Sequence, residues 1–371
     1  MQGAIPFVRF MEQALGCPVY GYYEKEGDTV GRRGDFFTSV SVGSLYGELL
    51  AARFAAWLET LISNSKVQSP KSSIPRPRDK RMQIVEAGAH DGMLALDILT
   101  WMGRRRPGLL EGLEYWIVEP SIRRQASQRR TLAGFSSQVR WVEDLQALAR
   151  LHTSAGGVHG IIFCNELLDA LPVRRLGWDV FRRCWFEWGV ALDADRFVWT
   201  RMPVTEPAPD LSWLYEQAAG LVEVLPDGFS VEVSPAAVKW WAQAAACLSE
   251  GNLLTVDYGL TDEELFMPER KEGTLRGYRR HRLSSDILAD PGEQDITAHV
   301  NFGMILRAGE SAGLKTDGLL HQSRFLTPLA ELVAAEWTLE RRRQFQTLTH
   351  PEHLGRAFRV LIQSRPVKVN S

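Results

Sequence analysis

The run Glu86-Ala87-Gly88-Ala89-His90-Asp91-Gly92 sets two acids and two glycines in seven residues, directly after the apolar pair Ile84-Val85. An apolar strand that ends in an acid, turns on glycine and enters a helical pattern is how open α/β sheets receive a nucleotide-like ligand. The spacing argues against a dinucleotide. A pyrophosphate needs the close approach of G-x-G-x-x-G with bare amide donors, whereas here the glycines read Gly88-x-x-x-Gly92 with His90 between them. Carboxylates at Glu86 and Asp91 would repel phosphate. They suit a ligand that carries a sulfonium and an ammonium, which describes S-adenosylmethionine. A further acid, Glu119, closes the next apolar run, Tyr115-Trp116-Ile117-Val118. An acid in that place can accept both ribose hydroxyls. The expected cofactor contacts are therefore Glu86, Gly88, His90, Gly92 and Glu119. Read singly, Glu86 could equally be a solvated strand-end acid and Glu119 an acid at a helix start.

A second cluster, Asn165-Glu166-Leu167-Leu168-Asp169, follows the buried-strand candidate Ile161-Ile162-Phe163-Cys164. Two carboxylates there could hold a guanidinium through paired, charge-assisted hydrogen bonds. One could take the proton lost when nitrogen attacks a methyl group. Asn165, Glu166 and Asp169 are thus the expected catalytic residues. The plainer alternative is a helix start, with Asn165 as N-cap and the acids in the first turn. A third stretch, Gly31-Arg32-Arg33-Gly34-Asp35-Phe36-Phe37-Thr38, reads as a lid over a site or as an ordinary surface turn.

Alternating elements must position these groups. Helices are expected over 4–16 and 44–63, and a flexible connection over 64–80. Strand 83–87, helix 92–104, strand 114–119, helix 121–132 and strand 138–142 follow. Strands at 160–164 and 251–257, antiparallel strands within 173–203, helices at 210–224, 235–249 and 297–313, and a late strand at 358–362 complete the reading. The pattern implies an α/β fold, a mostly parallel sheet with helices on both faces. With 371 residues the chain is longer than a usual single domain. The expected division is a helical segment with a lid loop (1–63), the connection (64–80) and a catalytic domain (81–371) with an insertion at about 173–250.

Long segments of this chain resemble the S-adenosylmethionine-dependent methyltransferase family that includes bacterial MidA-like proteins and the mitochondrial complex I assembly arginine methyltransferase. They are Phe10-Met11-x4-Gly16, Gly21-Tyr22-Tyr23, Gly31-Arg32-Arg33-Gly34-Asp35-Phe36 and Tyr46-Gly47-Glu48-Leu49, then Asn165 to Val173 and Glu232-Val233-Ser234-Pro235. Leu254 to Gly259, Gly273 to Tyr278 and Asp290 to Phe302 continue the match. The resemblance implies a Rossmann-like class I methyltransferase domain, with S-adenosylmethionine held by the Glu86–Gly92 loop and Glu119. It implies that Gly34, Asp35 and Thr38 help to shape that site. The implied acceptor is a protein arginine side chain, with a respiratory-complex subunit as the partner. Two positions depart from the family pattern. His90 stands where a glycine is usual, and Ser41 replaces an acid, so a weakened cofactor site in a non-catalytic assembly protein is the rival reading.

Other classes are disfavoured. A net charge of −2 gives no bulk attraction to a polyanion. The basic run Arg276-Gly277-Tyr278-Arg279-Arg280-His281-Arg282 reads as a structural loop or a surface for an acidic protein rather than as an RNA contact. The histidines form no H-x-x-x-H pair, so no metal is expected. Cys17, Cys164, Cys184 and Cys247 lie far apart, as suits a reducing compartment. No apolar run reaches the length of a membrane span, and the start lacks the pattern of a signal peptide. The expected location is the cytoplasm of a bacterium, or the mitochondrial matrix of a eukaryote. A nicotinamide-dependent reductase is disfavoured by the missing third glycine.

Overall fold

The computed structural model describes every residue except 1–2, 25–37, 68–80, 153–155, 207–211, 222, 280–281, 285, 334–336 and 366–371. Two compact units share the chain: 38–167 with 240–257 and 306–371, and 1–37 with 168–239 and 258–305. The N-terminal segment 1–63 contributes to both, and most of the connection expected at 64–80 lies outside the described residues.

The first unit is built on a mostly parallel sheet. Its elements are α1 (Leu45–Val67), β1 (Met82–Ala87), α2 (Met93–Arg105), β2 (Leu113–Val118), α3 (Ile122–Thr131), β3 (Val139–Val142), α4 (Leu145–Leu151) and β4 (Val158–Asn165). Then come β5 (Leu248–Leu260), β6 (Lys315–His321) and β7 (Phe358–Arg365). The last residues of β5, from Tyr258, fall in the other unit. The strand order is β6-β7-β5-β4-β1-β2-β3. The pairs β1–β2, β2–β3, β1–β4 and β4–β5 are parallel, and β6–β7 is antiparallel. Burial on both faces explains the near-continuous apolar runs: every residue of β1 is buried, as are Ile161 to Cys164 of β4. The chain direction across the sheet reverses between β1 and β4, which makes the crevice beyond their carboxyl ends the place for a ligand.

Helix starts in this unit follow from local chemistry. Ser121 caps α3 by accepting from the Arg124 amide, and Asp144 caps α4 by accepting from the Ala147 amide. Leu45, Leu49, Leu50, Phe54 and Leu58 form the buried stripe of α1.

The second unit holds the antiparallel strands expected within 173–203. Cys184–Asp193 pairs with Arg174–Asp179 and with Arg196–Met202, and Ser230–Val233 extends that sheet. A helix at Phe7–Gly16 buries Phe7, Phe10, Met11, Ala14 and Leu15 in this unit's core. Each such large side chain contributes about 1.5–3 kcal/mol on burial.

Four helices differ in extent from expectation: the one expected at 4–16 begins at Phe7, the one expected at 44–63 runs on to Val67 into the expected connection, and two later ones are shorter. The helix expected at 297–313 covers Phe302–Ser311. Asn301 accepts from the Met304 amide at 3.0 Å and starts it there, while Asp295–Thr297 is a strand paired with Arg276–Arg279. The basic run is therefore partly a strand, and Arg279 pairs with Asp290 at 2.7 Å. The helix expected at 210–224 is limited to Ser212–Ala218. Among the described residues, no helix is long and apolar enough to cross a membrane.

Candidate active site

The loop after β1 turns by left-handed backbone. Gly88, His90 and Gly92 have φ of 76°, 47° and 87°. Glycine takes this region freely, and histidine is among the few other residues that visit it. Gly88 is required for a second reason. A Cβ on it would lie 3.0 Å from Cδ1 of Leu167, so the loops after β1 and β4 pack directly together. The His90 ring is turned to Asp91, with Nδ1 3.7 Å from Oδ1, and is about a third exposed. Asp91 also accepts from the Met93 amide at 3.1 Å, satisfying one of the donors at the start of α2.

Glu86 is 2% exposed and accepts from the Tyr115 hydroxyl at 2.7 Å. Burial pushes its carboxyl up to about 7; the Tyr115 hydrogen bond opposes that rise and the charge of Asp91 adds to it. Glu119, just past β2, is also buried. Its Oε1 accepts from the Ser121 amide at 3.0 Å, and its Oε2 accepts from the Gln128 side chain at 3.2 Å. The same Gln128 amide donates to the His90 carbonyl at 2.9 Å. Gln128 thus ties the acid after β2 to the glycine loop after β1.

Beyond β4 no helix follows, so the N-cap reading of Asn165 does not apply. Asn165 instead accepts from the Tyr46 hydroxyl at 2.5 Å and donates through Nδ2 to Glu166 Oε1 at 3.0 Å. Glu166 has φ of 51°, and its amide donates to the Val256 carbonyl at 2.9 Å, continuing the β4–β5 register. Its Oε1 also accepts from the Ser39 amide at 3.0 Å. Ser39 is set by a small turn in which the Ser41 amide donates to Thr38 Oγ1, and the Thr38 amide donates to Ser41 Oγ. This is the reciprocal geometry of a capping box with serine in the place of the usual acid. Ser41 therefore does the structural work that an acid would do there.

The parallel-sheet unit brings together Glu86, Gly88, His90, Gly92, Glu119, Asn165, Glu166 and Thr38, at or near the carboxyl ends of β1, β2 and β4. Asp169 belongs to the other unit. It is buried there, its carbonyl accepts from the Ala298 amide at 3.0 Å, and its charge helps to raise the Tyr23 and Tyr278 phenols, for which burial is the largest cause. Tyr23 donates to Asp295 at 2.7 Å in the same unit. Gly34 and Asp35 lie outside the described residues. Nothing in the residue spacing marks Tyr46, Tyr115 or Gln128 as holding these acids. Tyr46 sat in a family-like segment, which was the available signal, whereas Gln128 was hidden on an otherwise arginine-rich helix.

Residues 55–320 match the family described as "Putative S-adenosyl-L-methionine-dependent methyltransferase". The chain belongs to that family. A protein from Burkholderia thailandensis whose crystal structure holds S-adenosylhomocysteine is 32% identical, with a TM-score of 0.80 over 98% of this chain and 88% of that one. The zebrafish mitochondrial protein arginine methyltransferase NDUFAF7 is 28% identical over 82% of this chain and 68% of its own length. The human one is 24% identical over 96% and 79%. The cofactor of the family is S-adenosylmethionine, and the donor set fits it. Two buried carboxylates, Glu86 and Glu119, flank a glycine turn in which a Cβ at Gly88 would press on Leu167.

Proposed function

We propose that this methyltransferase transfers a methyl group from S-adenosylmethionine to a guanidinium nitrogen of an arginine in a partner protein. The observation that carries the reading is the fixed carboxylate of Glu166 beside the cofactor loop, held by the Asn165 side chain and the Ser39 amide. The names of the vertebrate relatives support arginine as the acceptor. In this reading Glu86 faces the cationic end of the cofactor, Glu119 the ribose, and Gly88, His90 and Gly92 the backbone path between them. Thr38 sets the turn that aims Ser39. S-adenosylmethionine supplies the electrophilic methyl group on its sulfonium. Glu166 orients the guanidinium and takes the proton that its nitrogen sheds as the N–C bond forms. The C–S bond breaks in the same step, with its electron pair left on sulfur. Orientation in line with the breaking bond supplies much of the rate.

The partner is proposed to be a subunit of a respiratory complex, met in the bacterial cytoplasm or in the mitochondrial matrix. Asp169 stands as a second candidate carboxylate, to be tested by itself. The rival reading of a degenerate cofactor site has little to support it, since the His90 ring pairs with Asp91 and Ser41 serves the turn.

Calorimetry with S-adenosylmethionine and S-adenosylhomocysteine tests the cofactor half, and no heat at millimolar ligand would end the enzyme reading. Mass spectrometry of arginine peptides incubated with protein and cofactor tests the acceptor half. Methyl transfer that survives both Glu166→Gln and Asp169→Asn would remove their catalytic role.

A further inference from the structure

We propose that Tyr46 is a positioning residue of the acceptor site, acting through Asn165 to hold the Glu166 carboxylate in place. This rests on the reading of Glu166 as the group that receives the guanidinium.

Tyr46 lies in the first turn of α1 and is fully buried. A buried phenol whose only task was packing could be a phenylalanine, without the cost of taking a hydroxyl out of water. The hydroxyl here feels the charges of acids in β1, in β5 and just past β4. Burial first, and then the charges of Glu166, Asp257 and Glu86, hold the phenol well above its usual range. It stays protonated, and surrounded by acceptors it donates. The acceptor it takes is Asn165 Oδ1, at 2.5 Å.

That bond decides which way the Asn165 amide faces. With Oδ1 committed to Tyr46, Nδ2 points to Glu166 Oε1 at 3.0 Å. The reversed amide would set its oxygen against a carboxylate oxygen, acceptor against acceptor. The Ser39 amide donates to the same Oε1 at 3.0 Å, so two fixed donors orient the carboxylate. Glu166 itself is half-buried, with its Oε2 shielded from solvent. Tyr46 never needs to touch the acceptor.

The variant Tyr46→Phe keeps the ring and removes the donor. The measurement is the pH titration of the Glu166 carboxylate, followed by NMR on protein with carboxyl-labelled glutamate and assigned by loss of the signal in Glu166→Gln. We expect the midpoint to rise by about half a pH unit or more, because a donor to the ionised form becomes free to turn away. Asn165→Leu should give the same rise, and the double variant no more than either alone. It also carries the test if Tyr46→Phe does not fold.

The acceptor side is read by titrating N-acetyl-arginine amide into the protein saturated with S-adenosylhomocysteine. It should perturb the Glu166 signal in the wild type, with affinity weakened about threefold or more in Tyr46→Phe. A Glu166 midpoint and probe affinity unmoved by Tyr46→Phe would overturn the role of Tyr46. A probe that leaves Glu166 undisturbed in the wild type would instead overturn the reading of Glu166.

Discussion

Gln128, the buried residue of α3, holds Glu119. Its Nε2 donates to Glu119 Oε2 at 3.2 Å and to the His90 carbonyl at 2.9 Å, while Trp141 donates to its Oε1 at 2.9 Å. The side chain is fully buried and Glu119 is 3% exposed, so the carboxylate has no ready water to replace it. Gln128→Leu should cost about 2–4 kcal/mol, since it strands several buried polar groups at once. It should also weaken S-adenosylmethionine binding about tenfold by loosening the acid from the glycine loop. Chemical denaturation and calorimetry on the same protein separate the two effects. Lost stability with unchanged affinity would reduce Gln128 to a packing residue.

The Glu86 carboxyl makes stability depend on pH in a stated direction. Its native value of about 7 lies above the roughly 4.3 of an unfolded chain. Between those values the folded protein keeps a proton that the unfolded chain has lost. The stabilisation is therefore complete below the unfolded value and fades as pH rises through about 7. Glu86→Gln stays neutral throughout. Its stability relative to the wild type should improve between pH 5 and pH 8, by something on the order of 2–4 kcal/mol. Unfolding of both proteins at both pH values checks this, and a gap that does not widen with pH counts against it. Because a sulfonium favours the ionised acid, cofactor binding near pH 6 should also release protons, read as a buffer-dependent calorimetric heat.

Much of this site was legible because its strands are buried on both faces and its turn is built on glycine. Ile84, Val85 and Ile161 to Cys164 announce parallel strands by unbroken apolarity, and Gly88 and Gly92 mark the turn between β1 and α2. What stayed hidden were the residues that hold the acids. Tyr46 falls next to Leu45 on a helix whose buried stripe already explains a large side chain. Gln128 sits among arginines, and its partners are set by tertiary approach rather than by spacing. The start of the late helix is masked in the sequence because Asp295–Thr297 and Phe302–Ser311 are both partly apolar. The cap on Asn301 that separates them works through one side-chain bond.

Gly88 and His90 share left-handed backbone but not its consequences. At Gly88 any side chain meets Leu167 at 3.0 Å in addition to the strain of φ 76°. Gly88→Ala should cost roughly 1–3 kcal/mol and lower cofactor affinity more than tenfold. At His90 the ring is partly exposed and paired with Asp91. His90→Gly relieves the strained φ but adds chain entropy, and the two terms are each about 1 kcal/mol. Stability should change little and affinity should stay within about threefold. A large gain in affinity on His90→Gly would show that the ring obstructs the cofactor after all.

In the antiparallel unit, Arg174 grips Glu187 by two bonds, Nε to Oε1 at 2.9 Å and Nη2 to Oε2 at 2.5 Å. Both side chains are buried, and Glu187 Oε2 also accepts from the Thr205 amide at 2.9 Å and from its hydroxyl at 2.8 Å. Removing one partner leaves a charge without its counter-charge in a place water does not reach. Glu187→Ala should therefore cost about 3–5 kcal/mol. Replacing both, as in Arg174→Met with Glu187→Leu, should return only part of that. An apolar pair removes the desolvation cost of the ions but leaves the Thr205 amide and hydroxyl without an acceptor. Urea unfolding of the single and double variants decides the matter. A double variant as stable as the wild type would mean that Thr205 finds another partner, and that the ion pair alone accounts for the loss in the single variant.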